Sequence, residues 1–343
     1  MEFFLHQDFS EFSETAWNVL VEGSIADTPF SRYEYLCEWW KTLGGGEWNN
    51  NVAADSRSPE LVLVSAKEND QLIGIAPLFI ADYDGQRALM LVGSIEISDY
   101  LDLIVRPADL PRFVTGLLDF IASHEPSTWR AFDWYNLPDS SPTLAALKTE
   151  AESRNWTFAQ EVYRPTPYIP IPDDFEIYLA SIEKKQRHEI RRKLRRAAES
   201  GIVRFYIVDG SSNIESEIND FFDLMVQDPS KANFLHPAMR AQMTAILQTA
   251  HKQGYLWLAF LEVDGVKTAA SLNFDYRGKL WGYNSGVGSG HKELSPGWVL
   301  LANVIQWCCE NNRQEFDFMR GDEEYKYRFG AINRFVMRAR VNR

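Results

Sequence analysis

The stretch "LWLAFLEVDGVKTAASLNFD" (residues 256–275) decides the fold. Two apolar runs flank Asp264-Gly265, a dipeptide suited to a two-residue hairpin turn. The same plan occurs at 61–80, "LVLVSAKENDQLIGIAPLFI", where a polar turn separates two apolar runs. Each hairpin follows a mainly helical region. "YEYLCEWWKTLG" (33–44) precedes the first, and "HPAMRAQMTAILQTAHKQG" (236–254) precedes the second. In the latter, Pro237 sits in the first turn and Gly254 supplies the stop. Each hairpin then leads into a further strand and a helix. This repetition predicts a duplicated α/β unit, although any two hairpins share some of these features.

The divider is "YRPTPYIPIPDDF" (163–175), with four prolines in eight positions. Proline excludes regular helix and central strand pairing, so the segment reads as an extended connector or edge strand. The expected boundaries are 1–165 and 166–343. Beyond the second hairpin, "SPGWVLLANVIQWCCENN" (295–312) places Ser295 as N-cap and Pro296 at the first helical position. Its apolar character predicts burial against a sheet. "EFDFMRG" (315–321) alternates like a strand. The second half therefore reads hairpin, strand, helix, strand.

Bulk properties bound the function. The chain has 343 residues, 45% of them apolar, enough for two cores. The three cysteines, Cys37, Cys308 and Cys309, imply no disulfide framework and fit a reducing cytoplasm. The start lacks a basic secretory region, and the longest apolar run (298–309) is too short to cross a bilayer. Cytoplasmic location without membrane insertion is expected, so the Asn155-Trp156-Thr157 sequon reads as chance.

The net charge is −13, yet "EKKQRHEIRRKLRRAAESG" (183–201) holds eight Lys or Arg between Lys184 and Arg196. Leu179, Ile182, Ile190, Leu194 and Ala197 recur at helical spacing, and Gly201 supplies the stop. Three readings stand: a solvated face, a nucleic-acid surface, or a clamp for a small anionic ligand. The acidic remainder repels a long polyanion, which ranks the local anion above nucleic acid.

"YNSGVGSGHKELSPGW" (283–298) matches neither a dinucleotide fingerprint nor a Walker A loop. The helix start at Ser295-Pro296-Gly297 is more informative. Its free N–H groups and dipole suit a diphosphate, and Gly297 permits close approach; an ordinary cap is the alternative. "FDFMRGDEEYKYRFG" (316–330) places charged residues just after a strand, where α/β proteins carry chemistry, unless it is a solvated turn. "SDYLDLIV" (98–105) is read as its counterpart in the first half, with Asp99 and Asp102 either facing a cleft or capping a turn. No G-x-S-x-G elbow or H-E-x-x-H occurs, and the histidines are scattered, so no metal is expected.

"SDYLD", "KKQRHEIRRKLRR", "SPGWVLL" and "FDFMRGDEEYKYRFG", in this order, resemble the GNAT acetyltransferase superfamily. The branch is the tandem one, described as CelD-like or cellulose-biosynthesis acetyltransferases and related to Fem-type aminoacyl transferases. The resemblance implies two GNAT-like units in tandem, each a mixed twisted sheet flanked by helices, the second carrying acetyl-CoA or another acyl-CoA. It implies a small-molecule or saccharide acceptor, such as an exopolysaccharide precursor. A Fem-type alternative would use aminoacyl-tRNA, and a further one is an inactive binding module. "ELSPGW" keeps one glycine of the superfamily's donor loop and lacks a basic residue at its start.

Roles follow from the resemblance. The reaction would be direct transfer through a tetrahedral intermediate, with a base for the acceptor and N–H groups for the oxyanion. Asp102 or Asp322 would be the base, with Asp99 behind them, and Tyr325 would protonate the leaving thiolate. Tyr283, Asn284, Ser285, Ser295, Pro296, Gly297 and Trp298 would hold the donor. Tyr100, Lys185, Arg187, Arg191, Arg320, Lys326 and Arg328 would bind the acceptor or the donor's phosphates.

Overall fold

The computed structural model describes residues 1–43, 58–124 and 129–343, and the chain divides into two compact units. The first is Met1–Pro165 together with Phe335–Arg343; the second is Thr166–Arg334. The terminal strand, expected in the second unit, thus belongs to the first sheet.

In the first unit β1 (Glu2–His6) is followed by helices α1 (Glu14–Glu22) and α2 (Tyr33–Thr42). Gly44, the expected end of that helical region, lies outside the described residues. Strands β2 (Glu60–Glu68), β3 (Gln71–Tyr83) and β4 (Gln86–Leu91) form an antiparallel meander, and the short β5 (Ile104–Val105) also pairs with β3. Helix α3 (Leu110–His124) leads to β6 (Ala131–Pro138), which runs parallel to β4. Helix α4 (Pro142–Ser153) and β7 (Thr157–Pro165) complete the N-terminal part.

The second unit opens with β8 (Tyr168–Pro170), α5 (Phe175–Ser181), α6 (Lys184–Ser200) and β9 (Val203–Ile207). Helices α7 (Ile214–Met225), α8 (Pro229–Phe234) and α9 (Pro237–Lys252) follow, then the meander β10 (Leu256–Val263), β11 (Val266–Tyr276) and β12 (Lys279–Val287). Helix α10 (Pro296–Glu310) connects to β13 (Glu315–Asp317), parallel to β12, and α11 (Glu324–Arg328) comes after. The last strand of the chain, β14 (Phe335–Asn342), inserts between β6 and β7 of the first sheet.

The strand orders are β1-β2-β3-β4-β6-β14-β7 and β9-β10-β11-β12-β13-β8. Each has a meander, then a parallel partner reached through a helix, then an antiparallel neighbour. The duplication is therefore one of topology, with β14 in the first sheet taking the place that the proline-rich β8 takes in the second. Both hairpins turn through two left-handed residues, Asn69-Asp70 and Asp264-Gly265.

Along β10, Trp257, Ala259 and Leu261 point to one face and meet Val299, Leu300, Val304, Ile305 and Cys308 of α10. Leu258 and Phe260 alternate with them and are equally buried. Helices α7 and α9 also lie against this sheet. The apolar stripe read from the basic segment is split between two helices. The chain turns extended at Ile182 and Glu183, so Leu179 belongs to α5 while Ile190, Leu194 and Ala197 belong to α6.

Candidate active site

Strands β12 and β13 pair at only three positions, Lys279–Glu315, Leu280–Phe316 and Trp281–Asp317. A Cβ on Gly282, the next residue, would lie 2.9 Å from the Asp317 carbonyl oxygen, so the two backbones touch there only because position 282 is glycine. The chain then leaves the sheet. The buried Asp317 carboxylate accepts the Met319 N–H (2.7 Å) and pairs with Arg334, and Met319 turns left-handed (φ 60°). Strand β12 continues to Val287 paired with β11 only, its other edge open. The alternating segment at 315–321 is thus a strand only to Asp317.

Beside the divergence lies a β-bulge. Gly282 faces Asn273 and Asn284 faces Leu272, so Tyr283 is the extra residue on β12. The diverging strands open a cavity of about 850 Å³. Gly282 to Ser285, Ser271 and Asn273 line it from the sheet, and Ser295 to Trp298 line it from the start of α10. The loop after β13 contributes Phe318, Arg320 and Glu323, and α11 contributes Tyr325 and Lys326.

At the start of α10, Ser295 is left-handed (φ 53°), and its side chain makes no capping bond. Its carbonyl accepts the N–H groups of Trp298 and Val299. Pro296 has no N–H, so the remaining first-turn donor is that of Gly297. Lys193 of α6 completes this end, its ammonium 4.1 Å from the Trp298 ring centroid. With Lys292 on the rim, the basic charge missing from the loop arrives from two directions.

All seven residues expected to hold a donor line the cavity, as do Tyr325, Arg320 and Lys326. Their states differ from expectation in places. The Ser285 N–H is taken by Asn284 Oδ1 (2.8 Å), and its carbonyl accepts Lys231 Nζ (2.6 Å). Lys326 is buried and donates to the carbonyls of Arg320 (3.0 Å) and Gly321 (3.1 Å), and it pairs with Glu323 (2.9 Å). It holds the loop together. Partial burial and Glu323 both push the Tyr325 phenol upward, although the residue is still 40% exposed.

Lys185, Arg187, Arg191, Arg328 and Asp322 are not among the lining residues. Arg191 pairs with Glu176, Arg328 with Glu324, and Arg187 reaches the Ala180 carbonyl (3.4 Å). Lys185 and Asp322 are exposed. Asp99, Tyr100 and Asp102 are buried in the first unit. Asp102 accepts bonds from the hydroxyls of Ser141 and Thr143 and from the Leu103 N–H, ties that serve packing.

Their segment also departs from the expected correspondence. It precedes α3 and so matches the loop before α10. The counterpart of "FDFMRGDEEY" (316–325) is "FDWYNLPDSS" (132–141), where the buried Asp133 pairs with Arg338 as Asp317 does with Arg334. In the first unit residues 92–103 pack onto the continuation of β6. Asn136 Nδ2 donates to the Ile95 and Ser98 carbonyls (2.8 Å each), and Leu101 N–H donates to the Asn136 carbonyl (3.0 Å). The place that is open beside β12 is filled beside β4 by the chain itself.

Residues 184–327 match the acetyltransferase (GNAT) domain family. The match covers less than half of the chain and contains α6, the splayed strands and α10. No curated protein matches. Among solved structures, FemX is similar over 98% of this chain and 97% of its own, with 11% identity and a TM-score of 0.68. A conserved protein of unknown function from Bacteroides thetaiotaomicron is similar over all of both chains (11%, TM-score 0.59). L-PGS from Bacillus licheniformis is similar over 96% of this chain and 92% of its own (12%, TM-score 0.56). At such identities these likenesses show the fold.

Sequence reasoning missed Lys193 and Lys231. Lys193 stands three residues after Ile190 and four before Ala197, so helical spacing already placed it at the edge of the apolar stripe. Lys231, in "DPSKANF", carries no comparable signal.

Proposed function

We propose that the second unit transfers an acyl group from acyl-CoA directly to an amine or hydroxyl. The observation that carries this reading is that one cavity receives both the unpaired edge of β12 and the bare N-terminus of α10. The donor's diphosphate would sit at the Gly297 N–H, between Lys193 and Lys292. Its amide-rich arm would extend β12 as an added strand. The thioester carbonyl would then meet N–H groups at the Tyr283 bulge, where the growing oxyanion is stabilised. The acceptor nitrogen or oxygen forms a bond to the acyl carbon as the carbon–sulfur bond breaks, and Tyr325 supplies a proton to the thiolate.

Asp228 and Glu323, the carboxylates lining the cavity, are poor bases. Ser230 holds Asp228 low; for Glu323, burial raises the pKa but Lys326 outweighs it. Asp322, on the same loop but outside the cavity lining, is the group we propose to accept the acceptor's proton. Titration calorimetry with acetyl-CoA is the test: a micromolar signal is expected, and its absence would overturn this reading and leave transfer from another donor or a binding module.

The FemX likeness favours a second reading, transfer from aminoacyl-tRNA. It requires a tRNA mobility shift with steep salt dependence. Arg191 and Arg192 of α6 argue against it, because both already face carboxylates. A saccharide precursor for exopolysaccharide remains one acceptor class within the first reading.

A further inference from the structure

The charges lining the cavity are unbalanced. Lys193, Lys231, Lys292, Arg320 and Lys326 face it, against Asp228 and Glu323 alone. Both carboxylates are occupied within the protein. Asp228 accepts the N–H (2.9 Å) and hydroxyl (2.6 Å) of Ser230, and Glu323 pairs with Lys326. Lys193 and Lys292 belong to the α10 end. Lys231 comes from a different element, α8, and its ammonium touches the Ser285 carbonyl of β12 (2.6 Å). That is its only contact with an acceptor atom among the described residues. A half-buried ammonium answered by one neutral carbonyl has lost hydration without gaining a counter-ion. Burial accordingly pushes the Lys231 pKa down, against the pull of Asp228 and Glu323. An anion entering beside Lys231 would recover the missing interaction.

We infer that Lys231 is the specificity-determining residue for the acceptor, and that the acceptor carries an anionic group, carboxylate or phosphate, near its nucleophilic amine or hydroxyl. This rests on the acyl-transfer reading above. The anionic group would pair with Lys231 Nζ while the nucleophile faces the bulge at Tyr283. The Lys231–Ser285 bond ties the two places to the same short length of β12.

The test compares matched acceptors with acetyl-CoA as donor and free thiol as readout. Glycine against glycinamide probes carboxylate, and glucosamine 6-phosphate against glucosamine probes phosphate. Wild type, Lys231→Met and Lys231→Arg are assayed, and acetyl-CoA binding is measured for each by calorimetry. One acidic member should be used at least tenfold better in kcat/KM than its neutral partner, and the arm that responds identifies the group. The preference should vanish in Lys231→Met and persist in Lys231→Arg, with donor binding unchanged in both. Equal use of acidic and neutral members overturns the inference, as does a preference that survives in Lys231→Met. Uniform loss in both variants also overturns it, by placing Lys231 in the chemistry. If acetyl-CoA binds and no acidic member turns over, the inference fails while the donor reading stands. If acetyl-CoA does not bind wild type, both fail.

Discussion

At the scale of the residue, the same side-chain type is put to different uses by burial. Asp317 and Asp133 are buried with arginine partners, whereas Asp102 is buried with hydroxyls and one N–H only. Burial therefore dominates for Asp102 and raises its carboxyl from 3.8 to about 6, against the bonds from Ser141, Thr143 and Leu103. The folded state favours the neutral acid. Its contribution to stability is full below about pH 4 and is lost as pH rises through 6, a change on the order of 3 kcal/mol. Wild type should gain about that much over Asp102→Asn between pH 7 and pH 4 in denaturant titrations. A difference that stays flat across this range would contradict the burial argument. Gly286 is a second case. A Cβ there would lie 2.6 Å from the Met225 backbone nitrogen, so Gly286→Ala should cost about 1–3 kcal/mol or more, read from the shift in unfolding midpoint.

At the scale of the element, α6 shows how a strongly basic segment can be mostly surface. Ion pairs such as Arg191–Glu176 and Arg192–Glu189 are exposed and worth little. Lys193 alone among the basic residues of this helix reaches the cavity. Replacing Lys185, Arg187 and Arg191 together by alanine should change acetyl-CoA affinity by less than about twofold at 0.15 M salt. Lys193→Ala should weaken it by about tenfold, the worth of one well-placed charge on a phosphate. Calorimetry on the two variants decides between a diffuse basic field and a single contact. Helix α10 carries the other load. Ile305 is fully buried against the sheet, so Ile305→Ala should cost about 2–5 kcal/mol in unfolding free energy.

At the scale of the whole molecule, one strand order is used twice, and only one copy opens. Residues 92–103 fill the first unit beside β4, whereas the second unit leaves about 850 Å³ beside β12. Acetyl-CoA should therefore bind with a stoichiometry of one per chain, measured by calorimetry against active concentration. A value near two would mean that the segment 92–103 can be displaced. The net charge of −13 surrounds a cavity whose charged lining residues are mainly cations, a distribution that suits a small anion better than a long one.

Hairpins, the helix starts at Pro237 and Pro296, and the proline-rich divider were legible in the chain because each depends on neighbours within a few positions. Alternation, helical spacing, and the backbone limits of Gly and Pro are local. The start of α10 was legible for the same reason, whereas Tyr283, Asn284 and Ser285 were singled out only through the family resemblance. Tertiary structure alone decided that β14 returns to the first sheet, that Asp102 is locked in packing, and that Lys231 meets Ser285 across 54 positions. Sheet pairing and the solvation of a charge depend on which distant segments come together, and no local pattern records that.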